Sequence, residues 1–300
     1  MWRAGLLLVA LLGSACAGSG GDGDAGATST VPCPERVDLV DQRYLDGDPL
    51  QALDLYQPAA GCEAVPLVVW VHGGGWSAGD KGNGMASKVG LWNDAGWAVA
   101  SVNYRLTDRS EPDGERMLAP AHNADVAAAV GWLVEHAGEL GVDPSRIALL
   151  GHSAGAGIVA ALAADPAYLT AVELAPSDLA CVAPLDTEGF DVASVAQDPG
   201  AQGRLYRLVF GDDPGRWAEL SPLAHLGEAD VPDLFLVRRG TPDRRAQVDG
   251  FAEAARRAGS LVTVVDLPGF THAQVSMRIG DPADDVLTPA LQTFLGRCLT

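Results

Sequence analysis

Short, uninterrupted apolar runs recur along this chain, and they constrain its fold more than any other feature. VPLVVWV (65–71) ends in the glycines of HGGGW. WAVASVNYR (97–105), RIALLG (146–151), LACVAPL (179–185), PDLFLVRR (232–239) and LVTVVDL (261–267) follow. A strand apolar on both sides has no solvent face, so such runs belong inside a sheet covered above and below. Between them lie segments with helical character at 82–95, from about Ala119 to Leu140 (stopped by Gly141 and Pro144), at 153–164, near 213–221, at 243–258, and a last one ending near Leu299. Strands alternating with helices predict parallel βαβ units, hence a mostly parallel central sheet of about eight strands with helices on both faces. Ahead of these units, residues 36–45 and 50–57 flank DGDP (46–49) and predict an amino-terminal antiparallel hairpin. The segments 107–117 and 186–203 read as polar excursions.

The first seventeen residues, MWRAGLLLVALLGSACA, carry one positive charge, an apolar stretch from Leu6 to Leu12 and then small residues. That is the pattern of a secretory signal, too short to span a bilayer. ACA (15–17) fits ordinary signal cleavage, whereas LGSAC resembles a lipobox that would leave Cys16 lipidated at the mature terminus. Residues 18–32, rich in Gly, Ser, Asp and Thr, cannot form a core and read as a flexible tether. The expectation is an exported protein: a cell-surface lipoprotein anchored to the outer face of a membrane, otherwise secreted or periplasmic. Residues 33–300 are expected to form one domain, since 300 residues with 48% hydrophobic content can bury one large core. With 20 basic against 39 acidic side chains, a net charge of −19, nucleic acid is excluded as a partner. Nothing in the chain implies a protein partner.

Export exposes the remaining cysteines to oxidation. Cys33 and Cys62 lie symmetrically about the hairpin turn, where antiparallel positions face one another, so a Cys33–Cys62 disulfide is expected. Cys181 and Cys298 are then left to pair. There is no CxxC or HExxH pattern, and no metal site is expected.

GHSAG (151–155) stands between a buried strand and a helix, the setting in which G-x-S-x-G forces its serine onto a tight turn. Ser153 is therefore the candidate nucleophile, the plainer reading being a serine that caps the following helix. A serine hydroxyl needs a base, an orienting acid and donors for the developing oxyanion. The donors are assigned to the N–H groups of Gly74, Gly75 and Ala154, and Trp76 is placed at the substrate pocket. Gly73-x-Gly75-x-x-Ala78 also fits a loose dinucleotide fingerprint, but the next strand ends in Val102 and Asn103 without the acid that binds ribose; no cofactor is expected. His272, just after the last strand, is the candidate base, with His225 as alternative. Asp243, in the loop after strand 232–239, is the candidate acid. Asp212 and Asp213 come next, and Asp266 last. His152 reads as structural.

These motifs resemble the α/β-hydrolase superfamily, specifically the HGGG-type carboxylesterase and lipase group, close to hormone-sensitive-lipase-like and BD-FAE-like esterases. The likeness covers about residues 40–299 and rests also on NYR (103–105), DVAAAVGWLVEHAGELGVDPSRIALLGHSAGA (125–156), and TPD followed by THA. It implies an α/β-hydrolase fold, the chain order Ser, Asp, His, and hydrolysis of short-chain acyl esters through an acyl-enzyme without a cofactor. Ala156 stands where relatives usually have Gly, and Arg244 and Arg245 stand where Val and Pro are common. The reading is a serine carboxylesterase for small-molecule short-chain acyl or carbohydrate and aryl esters. An amidase, arylformamidase or peptidase of the same fold, or a non-catalytic binding protein, is the alternative.

Overall fold

Side chains on a strand alternate between faces, and in β3 of this protein the alternation separates two cores. The computed structural model describes residues 37–59, 61, 63–112 and 114–300. The signal segment, the tether, Cys16 and the expected Cys33–Cys62 pair lie outside the described residues. Eight strands form one sheet: β1 (Leu39–Arg43), β2 (Ala52–Tyr56), β3 (Val65–Val71), β4 (Ala98–Val102), β5 (Val142–His152), β6 (Cys181–Leu185), β7 (Asp233–Arg238) and β8 (Val262–Asp266). Their order is β1-β2-β4-β3-β5-β6-β7-β8. β1 and β2 are antiparallel, β2 meets β4 antiparallel, and every later pairing is parallel.

The helices that cover the sheet or border the site are α1 (Ala86–Asp94), α2 (Ala121–Glu135), α3 (Ala154–Ala164), α4 (Ala201–Phe210), α5 (Pro242–Arg257), α6 (His272–Met277) and α7 (Leu287–Cys298). Leu67, Val69 and Val71 face a core shared with Val126, Ile158 and Phe251 of α2, α3 and α5. Val68 and Trp70 face the other core, shared with Trp92, Val275, Leu291 and Phe294 of α1, α6 and α7. Both faces of the central strands are dry, which is why their sequences show no polar alternation.

A disulfide joins Cys181, the first residue of β6, to Cys298, the last of α7, with Cα atoms 6.0 Å apart. Among the described residues no helix is long and apolar enough to cross a membrane. Two elements differ from the sequence-based expectation. The excursion 186–203 runs into α4, whose buried Tyr206, Val209 and Phe210 recur at helical spacing beside two arginines and a glutamine. His272, expected in a loop, is the first residue of α6, capped by Thr271, whose hydroxyl accepts from Gln274 N.

Candidate active site

In a parallel sheet the loops leaving the carboxyl ends of neighbouring strands meet above one edge. Here those of β3, β5, β6 and β7 do so, with α6 closing from the side. Register pairs His152 of β5 with Leu185 of β6, so the next residues, Ser153 and Asp186, leave the sheet side by side. Ser153 N donates to Leu185 O at 3.1 Å.

The turn at Ser153 has φ 58° and ψ −116°, a conformation an ordinary side chain avoids. It closes only because its neighbours lack side chains. A Cβ on Gly151 would stand 2.4 Å from Gly155 O, and one on Gly155 would stand 2.3 Å from Val71 O. The glycine loop after β3 is similarly tight, with Gly74 at φ 126° and any Cβ there 1.9 Å from Ala78 O. Tyr104 pins this loop by donating to His72 O at 3.0 Å, and Thr107 N donates to Trp76 O at 2.8 Å.

His272 connects the two sides. Its Nε2 lies 2.8 Å from Ser153 Oγ and its Nδ1 lies 2.6 Å from Asp186 Oδ2. A carboxylate can only accept, so Nδ1 carries the proton and Nε2 offers a lone pair to the serine hydroxyl. His152 holds the same residue from behind: its Nε2 is 2.9 Å from His272 O, and the two rings are 4.6 Å apart. Burial drives His152 down to about 4, so it stays neutral near pH 7 and serves as an N–H donor.

The carboxylate on His272 is thus Asp186, where the sequence had pointed to Asp243. Asp243 sits exposed in the first turn of α5, a favourable place for a negative charge, and the hydrogen bond to the imidazole is made by Asp186 instead. The space beyond β7 is filled instead by Arg239 and Arg244, both of which turn onto Asp186: Arg239 through Nε, and Arg244 through a terminal nitrogen 2.8 Å from Oδ1. Arg244 also reaches Glu188 at 2.5 Å. Burial acts to raise the Asp186 carboxyl, but the His272 hydrogen bond and the Arg244 guanidinium outweigh it and hold the group at about 2. Among the described residues, none of the remaining candidates bonds to Ser153 or to the ring of His272. Asp213 caps a helix by accepting from Gly215 N, exposed Asp212 follows Gly211, Asp266 pairs with Arg238 at 2.6 Å, and His225 binds Glu219 O.

Ser153, Asp186 and His272 border a cavity of about 450 Å³ lined also by Gly74, Gly75, Trp76 and Ala154. Ala154 opens α3, where the first N–H groups have no intrahelical acceptor. Trp76 is buried, its ring edge-on to Tyr206 at 5.3 Å and Phe210 at 5.2 Å, so α4 forms the wall behind it. The ligand-type atoms of His152, Asp186 and His272 lie close enough for a metal, as do those of Asp165, His225 and Glu228. The ring nitrogens facing into both groups already have hydrogen-bond partners. Sequence reasoning missed Asp186 because it heads a polar stretch. The signal that could have found it is the pair Arg239 and Arg244, which need carboxylates nearby if they are to be buried.

A strained serine after a parallel strand, a histidine bridging it to a buried acid, and a glycine loop alongside define the site of an α/β hydrolase. The chain belongs to that superfamily, within the carboxylesterase family that includes NlhH. The BD-FAE family matches residues 53–180. Carboxylesterase NlhH of Mycobacterium tuberculosis is 31% identical over 241 residues, 76% of this chain and 72% of NlhH. Esterase LipQ of the same organism is 29% identical over 259 residues, 81% of this chain and 59% of LipQ, so the chain spans less than two thirds of that relative. Among solved structures, a truncated carbohydrate esterase from gut microbiota has TM-score 0.71 at 20% identity, covering 89% of this chain and 98% of its own. Esterase B from Lactobacillus rhamnosis has TM-score 0.70 at 21% identity, covering 88% and 89%.

Proposed function

We propose that this protein is an exported serine carboxylesterase that works through an acyl-enzyme, with Ser153 as nucleophile, His272 as general base and then acid, and Asp186 as the orienting carboxylate. The observation that carries the reading is the unbroken line Ser153 Oγ, His272 Nε2, His272 Nδ1, Asp186 Oδ2, with contacts of 2.8 and 2.6 Å, at the edge of an open cavity. His272 takes the hydroxyl proton as Ser153 attacks the ester carbonyl. The oxyanion that forms is met by N–H groups of Gly74, Gly75 and Ala154. His272 then passes its proton to the leaving alcohol. A water deprotonated by the same imidazole releases the acid, and Asp186 holds the ring and balances its charge throughout.

The carboxylesterase relatives support ester chemistry, and the cavity of about 450 Å³ bounded by Trp76 and Tyr206 favours short acyl groups or compact carbohydrate and aryl esters over long lipid chains. Export rests on residues 1–17 and the tether, with Cys16 as the anchoring residue of a cell-surface lipoprotein.

The decisive test is labelling with a fluorophosphonate probe beside 4-nitrophenyl acetate turnover. Wild type is expected to react with the probe at Ser153 and to hydrolyse the ester, and Ser153→Ala to do neither. A Ser153→Ala protein that keeps wild-type turnover overturns the mechanism.

A further inference from the structure

The cavity beside Ser153 contains three arginines, and only two of them have a carboxylate. Arg239 and Arg244 are bound to Asp186, and Arg244 also to Glu188. Arg109, which lines the same cavity, has none among the described residues. Its Nε donates to Ser77 Oγ at 2.8 Å, and Ser77 Oγ in turn donates to Gly75 O at 3.1 Å. This chain fixes the side chain by its inner nitrogen and leaves the two terminal nitrogens free to donate. One of them lies 3.7 Å from the point where a Cβ on Gly75 would stand, beside Leu205. An exposed guanidinium without a carboxylate partner therefore stands on the side of Gly75, one of the glycines assigned to the oxyanion, that faces Leu205.

Its surroundings sharpen the point. Net charge is −19, so a lone cation has many carboxylates available on the surface, yet this one is tethered toward the pocket. Strand order separates it from the other charges. Arg109 follows β4 on one side of Ser153, while Asp186 and Glu188 follow β6, Arg239 follows β7 and Arg244 lies in α5 on the other. A substrate anion at Arg109 would meet paired charges across the cavity rather than bare carboxylates.

We propose that Arg109 forms a subsite for an anionic group, and that the preferred substrates are esters bearing a carboxylate a few bonds from the scissile carbonyl. The proposal rests on the esterase reading above and narrows its substrate class. A guanidinium with two free terminal nitrogens matches a carboxylate bidentately.

Two matched pairs of esters test it. Mono-4-nitrophenyl adipate against 4-nitrophenyl hexanoate places the charge on the acyl side, and 4-carboxyphenyl acetate against 4-carbamoylphenyl acetate places it on the alcohol side, with buffer rates subtracted. Wild type is expected to favour the anionic member of one pair in kcat/KM by about tenfold. Arg109→Ala should abolish that ratio, Arg109→Lys should keep part of it, and raising salt from about 0.05 to 0.5 M should shrink it. Equal rates within both pairs for wild type, or an Arg109→Ala protein that slows both members alike, overturn the subsite while leaving the esterase intact. Failure to hydrolyse any of the four esters overturns the esterase reading and the subsite with it.

Discussion

Asp186 serves three cationic or proton-donating partners, and its ionisation ties the site to the stability of the fold. Its carboxyl is held at about 2, below the ordinary 3.8, after burial is outweighed by His272 and Arg244. A depressed carboxylate contributes stability that is present above its unfolded value and lost as pH falls through its folded one. The contribution is about 2 kcal/mol, complete above pH 4 and gone near pH 2. Asp186→Asn leaves the largely buried Arg239 without a carboxylate and Arg244 with Glu188 alone, so it should lower the urea midpoint at pH 6, and the gap to wild type should close as the pH is taken down to about 2.5. A gap that stays constant across that range would show that the carboxylate has no special ionisation.

Among the elements, the join between β5 and α6 controls how well the histidine is aimed. His152 ends β5 and its N–H grips the carbonyl of the first residue of α6, so the strand that presents Ser153 also holds the helix that presents His272. His152→Phe keeps a flat ring but removes the donor. It should lower kcat about tenfold while leaving the shape of the pH profile between 5 and 8 unchanged, because His152 is neutral there. An altered apparent pKa in that range would mean that His152 itself takes part in proton transfer. The central strands were legible in the sequence because burial on both faces leaves few polar interruptions, and the elbow because Gly151 and Gly155 admit no side chain. α4 was not, because its exposed face carries Gln202, Arg204 and Arg207 and masks the three inward residues. The pairing of Ser153 with His272 could be read from strand-end positions alone. The acid could not, since several loops after these strands carry carboxylates and only three-dimensional packing shows that His272 meets Asp186 while Asp243 stays exposed in the first turn of α5.

For the molecule as a whole, the sheet gathers groups far apart in sequence, His272 lying 119 residues beyond Ser153. Asp186 follows the strand next to the one that leads into Ser153, while Arg239, after the following strand, and Arg244, in α5, fill the place beyond it. The most direct measurement of this arrangement is kcat on 4-nitrophenyl acetate for Asp186→Asn and Asp243→Asn, each checked to be folded by near-ultraviolet circular dichroism at the assay temperature. The predicted result is a loss of about a thousandfold or more for Asp186→Asn and a change within about threefold for Asp243→Asn. A folded Asp186→Asn enzyme close to wild type, beside an inactive Asp243→Asn, would contradict it.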